Sequence, residues 1–139
     1  MVKVIMPVVK DQKLLLRALE TLYKGAVSTV STILKYEYLF KHITLYKDSD
    51  KNLDTFFKKC APKYGLSIEE RELLKRLIIF GKKHKESGFE FSRVGKMVIL
   101  DDNLTTTEVN RQTIDDFILI LRKLLMNTRN VFVRTRKHE

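Results

Sequence analysis

A chain of 139 residues fits one domain with a sizeable core, since a fold near that length buries roughly 68% of the surface its unfolded chain exposes. Its composition, 44% hydrophobic and 32% charged with only 5 glycines and 2 prolines, excludes a disordered or all-β chain and favours a regular, mostly helical globule. The single cysteine, Cys60, excludes an internal disulfide and a cysteine-cluster metal site, while a formal net charge of +10 raises the question of an acidic partner such as nucleic acid or an anionic surface.

In chain order, Val4, Ile5, Met6 and Pro7 predict an extended start over residues 1–8. From Asp11 the apolar residues Leu15, Leu19, Leu22, Ala26, Val30, Ile33, Tyr36, Phe40 and Ile43 recur at helical steps. One unbroken helix to Tyr46 would be about 54 Å long, against roughly 37 Å for the diameter of a compact domain of this size. The sequence therefore predicts a break or kink near Gly25 or in the Ser28–Thr32 run, or else a projecting helix that packs against a second copy through Ala26, Val30 and Ile33. Leu53, Phe56, Phe57 and Cys60 mark a short helix that Pro62 ends.

Ser67 followed by Glu70 is a capping box, and opens a helix through Leu73, Leu74, Leu77, Ile78 and Phe80. Lys82, Lys83 and Lys85 suit its carbonyl end, and Gly88 is the expected stop. Phe89–Ser92 alternates, Arg93–Lys96 supplies a turn, and Met97–Leu100 returns as a second strand, which Asp101-Asp102-Asn103 ends. Thr105–Thr107 reads as a loop or first helical turn. A last helix follows with Asp115 and Asp116 at its start and a broad stripe of Ile114, Phe117, Ile118, Leu121, Leu124 and Leu125. It is expected to end near Asn130, leaving a disordered basic tail over 134–139. The fold class is thus mostly α: one domain over 1–139, an up-and-down bundle of four or five helices with one small β-hairpin before the last helix.

The candidate chemistry is sparse. His42, His84 and His138 sit on different elements without a second ligand at metal spacing, and His84 among lysines reads as a solvated helix end. Cys60 reads as a small buried hydrophobe. Asp101 and Asp102 suit turn chemistry, and the glycines form no phosphate loop, so no cofactor is expected and the residues nominate no catalytic set. Lysines alternate with acids along most of the chain, except toward the C-terminus, where Arg129, Arg134, Arg136 and Lys137 are the candidate nucleic-acid contacts. No apolar run approaches the ~18 to 20 residues that span a bilayer, and Met1–Val9 lacks the length and cleavage site of a signal peptide, so a soluble cytoplasmic protein without a membrane partner is expected. Abundant lysine, no tryptophan and few glutamines match the drift seen in hyperthermophile proteins.

The run Ala18-Leu19-Glu20-Thr21-Leu22-Tyr23-Lys24-Gly25-Ala26, followed by Glu37 and Lys41, resembles the first helices of small archaeal HEPN-like helical proteins, and the resemblance extends from about Leu14 to Leu125. It implies a helical bundle and a homodimer. Catalytic members of that family carry an arginine, four to six residues and then a histidine. The nearest pairs here are Arg76 with His84, which are too far apart, and Arg134 with His138, which are too close. The expected function is therefore a non-catalytic binding or assembly module that forms a homodimer. The alternatives are a HEPN-type ribonuclease with a degenerate motif and a basic protein that binds nucleic acid weakly and without sequence preference.

Overall fold

The structure, a computed structural model, describes residues 2–87, 89–93, 95–101 and 103–137, with side chains for all of these but residues 2–12, 89, 136 and 137. The expectations placed on Gly88, Asp102, His138 and Glu139 lie outside the described residues. The chain is mostly α, with helix α1 over Val2–Leu39, α2 over Ser49–Thr55 continuing into a π-helical turn over Phe56–Cys60, α3 over Ile68–Glu86, and α4 over Arg111–Lys137. Between α3 and α4 lies a sheet of three antiparallel strands in the order β1-β2-β3, namely β1 Phe89–Arg93, β2 Lys96–Leu100 and β3 Thr106–Asn110.

Three contacts set the directions of the long helices. Gly25 of α1 faces Leu121 of α4 and Tyr36 faces Phe132, so moving toward one C-terminus moves toward the other and the two helices run parallel. Gly81 and His84 of α3 meet Tyr23 and Glu20 of α1, so α3 runs antiparallel to both. The bundle is up-down-up, with α2 bracing the α1 to α3 connection. A Cβ built on Gly81 would lie 2.3 Å from the Tyr23 ring, so glycine is what lets α1 and α3 approach there.

The predicted break in α1 does not occur. The helix runs through Gly25 and the hydroxyl run for 38 residues, about 57 Å. Thr21, Thr29 and Thr32 turn their hydroxyls back onto the carbonyls of Arg17, Gly25 and Ser28 at 3.0, 2.8 and 2.9 Å, which satisfies the groups that would otherwise compete with the helix backbone. Nor is the start extended, because α1 already begins at Val2. Pro7 deletes a single intrahelical bond near the start of the helix, where the loss is smallest. Ala26, Val30 and Ile33, expected at a dimer contact, are buried inside the bundle against α3 and α4.

Helix α3 follows its sequence. Ser67 accepts from the Glu70 amide at 3.1 Å and Glu70 accepts from the Ser67 amide at 2.9 Å, completing the capping box. The hairpin also forms as read, with Gly95 at φ +74 in its turn and Asp101 accepting from the amides of Asn103 and Thr105 at 2.9 Å each. The third strand was not foreseen. Thr106–Asn110 pairs with β2, and its buried Thr107 and Val109 face inward beside Ile99 and Met97. Asn110 then caps α4 by accepting from the Thr113 amide at 2.9 Å. The end of α4 differs as well. The helix does not fray into a tail at Arg134 but continues to Lys137, because buried Val131 and the Phe132 ring, 4.1 Å from Tyr36, hold it against α1.

Candidate functional site

Helix α1 ends in a Schellman motif: the His42 amide donates to the Glu37 carbonyl at 2.9 Å and the Lys41 amide to the Tyr38 carbonyl at 3.0 Å. Lys41 occupies the left-handed position at φ 62, a place that favours glycine. The pair normally joined by an apolar contact in this motif, here Glu37 and His42, is joined by charge. The Glu37 carboxylate is 1% exposed, and its Oε2 lies 2.5 Å from His42 Nδ1. Lys63, from the turn after the π-helical segment, brings Nζ to 2.8 Å from Oε1 and 2.9 Å from Oε2. Burial by itself would raise the Glu37 pKa, but Lys63 and His42 more than offset that and hold it below the ordinary value.

Glu37 thus ties three segments together: the last turn of α1, the loop after it, and the turn before α3. Around it lie buried Cys60, Tyr64 and the ring of Tyr36. The Tyr36 hydroxyl is buried without a hydrogen-bond partner among the described residues, while the Tyr64 hydroxyl faces the Glu37 carboxylate. Burial first and the Glu37 charge second push the Tyr64 phenol up, and the same two influences push the Cys60 thiol up to about 11. Cys60 therefore stays protonated near neutral pH and serves as the small hydrophobe the sequence suggested. The His42 ring is 53% exposed, so with Nδ1 bound to Glu37 its Nε2 faces the solvent side of the cluster.

His84 is not a solvated helix end. Its side chain is 17% exposed, with Nδ1 2.5 Å from Glu90 Oε2 on β1 and Nε2 3.6 Å from Glu20 Oε2 on α1. The lysines beside it in sequence point elsewhere, Lys83 reaching Thr107 Oγ1 at 3.2 Å. His84 therefore fastens the sheet to α1. Arg76 stands about 12 Å along α3 from His84, so the two do not form a pair. Among the described residues no group of three or more His, Cys, Asp or Glu could hold a metal ion, and no helix is long and apolar enough to cross a membrane.

Of the candidate nucleic-acid contacts, the structure describes the side chains of two. Arg129 and Arg134 are exposed on α4, while the side chains of Arg136 and Lys137 lie outside the described residues. What the structure brings together with Arg129 is Arg122, on the same outward face of α4. Large apolar side chains alternate with them along that face and stand in water: Leu119 at 61%, Met126 at 60% and Val133 at 42%, with Ile118 and Leu125 alongside. Ile118 and Leu125, expected in the core stripe, lie outside it. The inward stripe is Ile114, Phe117, Ile120, Leu121, Leu124 and Val131. A recess of ≈ 530 Å³ opens beside the outer face, lined by Met126, Arg129, Asn130, Val133 and Arg134.

Sequence reasoning named Glu37 and His42 but missed their cluster with Lys63, because a contact across 26 positions leaves no local pattern. It could have found the outer face of α4. Apolar pairs at Ile118-Leu119, Leu125-Met126 and Phe132-Val133 repeat every heptad, so the apolar arc is wider than one interface can cover. No protein family, curated protein or solved structure matches this chain.

Proposed function

We propose that this protein is a binding and assembly module that works by docking a helix on the outer face of α4. The observation that carries this reading is the row of Leu119, Met126 and Val133 standing in water on a helix whose other side is already packed. Folding leaves an exposed apolar row unrewarded, and rows of this kind mark interaction surfaces. Burying the three would contribute on the order of 1.5 kcal/mol or more each, before the cost of association. The nucleic-acid reading is less well supported, since apolar side chains between Arg122 and Arg129 interrupt the row of cations that would follow a phosphate backbone.

The test is Met126→Asp in the full chain. Sedimentation of the protein alone, and titration of it into labelled amphipathic helical peptides with uncharged polar faces, read self-association and docking. The expected result is association with one or the other that Met126→Asp weakens at least tenfold while the melting curve stays unchanged, Met126 being exposed. Association insensitive to Met126→Asp, or none of either kind at high micromolar concentration, would overturn the reading.

A further inference from the structure

The residues centred on the outer face of α4 are Asp115, Leu119, Arg122, Met126, Arg129 and Val133, all exposed or partly exposed. They follow one another at alternating steps of four and three, which is the spacing of a coiled-coil seam. The apolar residues take one of the two seam positions and the arginines take the other. Asp115 opens the row.

Among the described residues no carboxylate lies within ion-pairing distance of Arg122 or Arg129, whereas Lys123, one residue away, is paired with Glu70 of α3. The two arginines are therefore cations left over within the chain, held in a row with apolar neighbours. An arginine can lay its stem along such a surface and turn its guanidinium to a carboxylate in a two-pronged pair. A partner that covered the row without supplying carboxylates would bury charges unpaired, which is costly.

Resting on the docking surface above, we infer that its occupant is an acidic amphipathic helix. It would present apolar side chains to Leu119, Met126 and Val133, carboxylates to Arg122 and Arg129, and a cation to Asp115. The Asp115 end fixes which way the partner helix runs. A second copy of this chain fits less well. Paired in parallel it sets arginine against arginine, and paired antiparallel it sets arginine against an apolar side chain. The chain's formal net charge of +10 adds a general repulsion between copies and a general attraction for an acidic partner.

Two synthetic heptad peptides with identical apolar residues serve as probes, one with glutamate and one with lysine at the positions opposite Arg122 and Arg129. Each is titrated by fluorescence anisotropy into the full-length protein, its Arg122→Glu/Arg129→Glu variant, and Met126→Asp. The expected result is that the glutamate peptide binds the native protein at least tenfold more tightly than the lysine peptide, that the double charge reversal inverts the preference, and that Met126→Asp weakens both. Equal binding of the two peptides with loss in Met126→Asp would leave the docking surface standing and overturn the acidic partner. Self-association that the glutamate peptide cannot displace would make the occupant a second copy. Binding of single-stranded RNA or duplex DNA that depends on the arginines and not on Met126 would overturn both readings, as would the absence of any binding.

Discussion

Among the described residues, two histidine–carboxylate clusters differ in how deeply the carboxylates are buried. In one, the Glu37 carboxylate is sealed while its partners His42 and Lys63 reach water. In the other, His84 and Glu90 are both largely covered, at 17% and 21% exposure, and Glu20 is the accessible member. A sealed carboxylate depends on its partners for every interaction that water would otherwise supply. The His84 cluster has a milder dependence, because Glu20 keeps solvent as an alternative and Glu90 is only partly covered where Glu37 is sealed. The same residue types thus make a latch at the end of α1 and a lighter tie between sheet and helix, and burial of the charged member sets the difference.

The sharpest way to break this contrast is to remove one carboxylate from each cluster. Glu37→Ala should cost about 2 to 4 kcal/mol, since it opens a cavity and frees the loop after α1 and the turn before α3 together. Glu90→Ala should cost less, about 1 kcal/mol, since Glu90 is only partly covered and His84 keeps Glu20 as a partner. Chemical denaturation of the two variants reads both numbers, and equal losses would mean that burial does not set the value of these clusters.

Acid should distinguish the clusters next. The Glu37 pKa in the fold lies below its ordinary 4.5, so between the two values the unfolded chain binds the proton more readily. Its contribution is complete above the ordinary value and is lost as pH falls through the folded one. Stability followed from about pH 6 to 3 should fall less steeply in Glu37→Gln than in the native chain. The comparison isolates Glu37 from Glu70, whose pKa Lys123 and the Ser67 amide also hold down, and from exposed Glu20, lowered chiefly by Lys24.

The smallest effect has the opposite sign. Lys41 carries a side chain at a left-handed position without taking part in the Glu37 pairings. Lys41→Gly should therefore raise stability by about 0.5 to 1 kcal/mol and leave the acid response of Glu37 intact. A loss on thermal denaturation would show that the Lys41 side chain contributes to the latch after all.

What was legible in the sequence was local. Ser67 with Glu70, the alternation of Phe89–Ser92 and the Asp101 turn each involve groups a few residues apart, and all three form as read. The α1 break failed because low propensity at Gly25 and Ser28–Thr32 is outweighed by packing against α3 and α4, and because the threonine hydroxyls bond back to the helix. The strand Thr106–Asn110 was hidden because its threonines suit a loop equally well; only pairing with Met97–Leu100 decides. Glu37 with Lys63 could not be seen at all, since their meeting is a product of the whole bundle. The outer face of α4 was written plainly in its heptads, and was hidden by assigning the whole apolar arc to one core.

Strand β3 ends at Asn110 and α4 begins at Arg111, with no residue between them. There is no slack in that joint. The first turn of α4 is held by the Asn110 side chain, and Asn110 is held in turn by its pairing opposite Lys96. Sheet and helix therefore open or stay closed as one cooperative unit, and amide protons in the second turn of α4 should exchange with solvent at the pace of those in β3. The helix that offers its outer face to a partner is anchored, at its root, in the edge of a sheet.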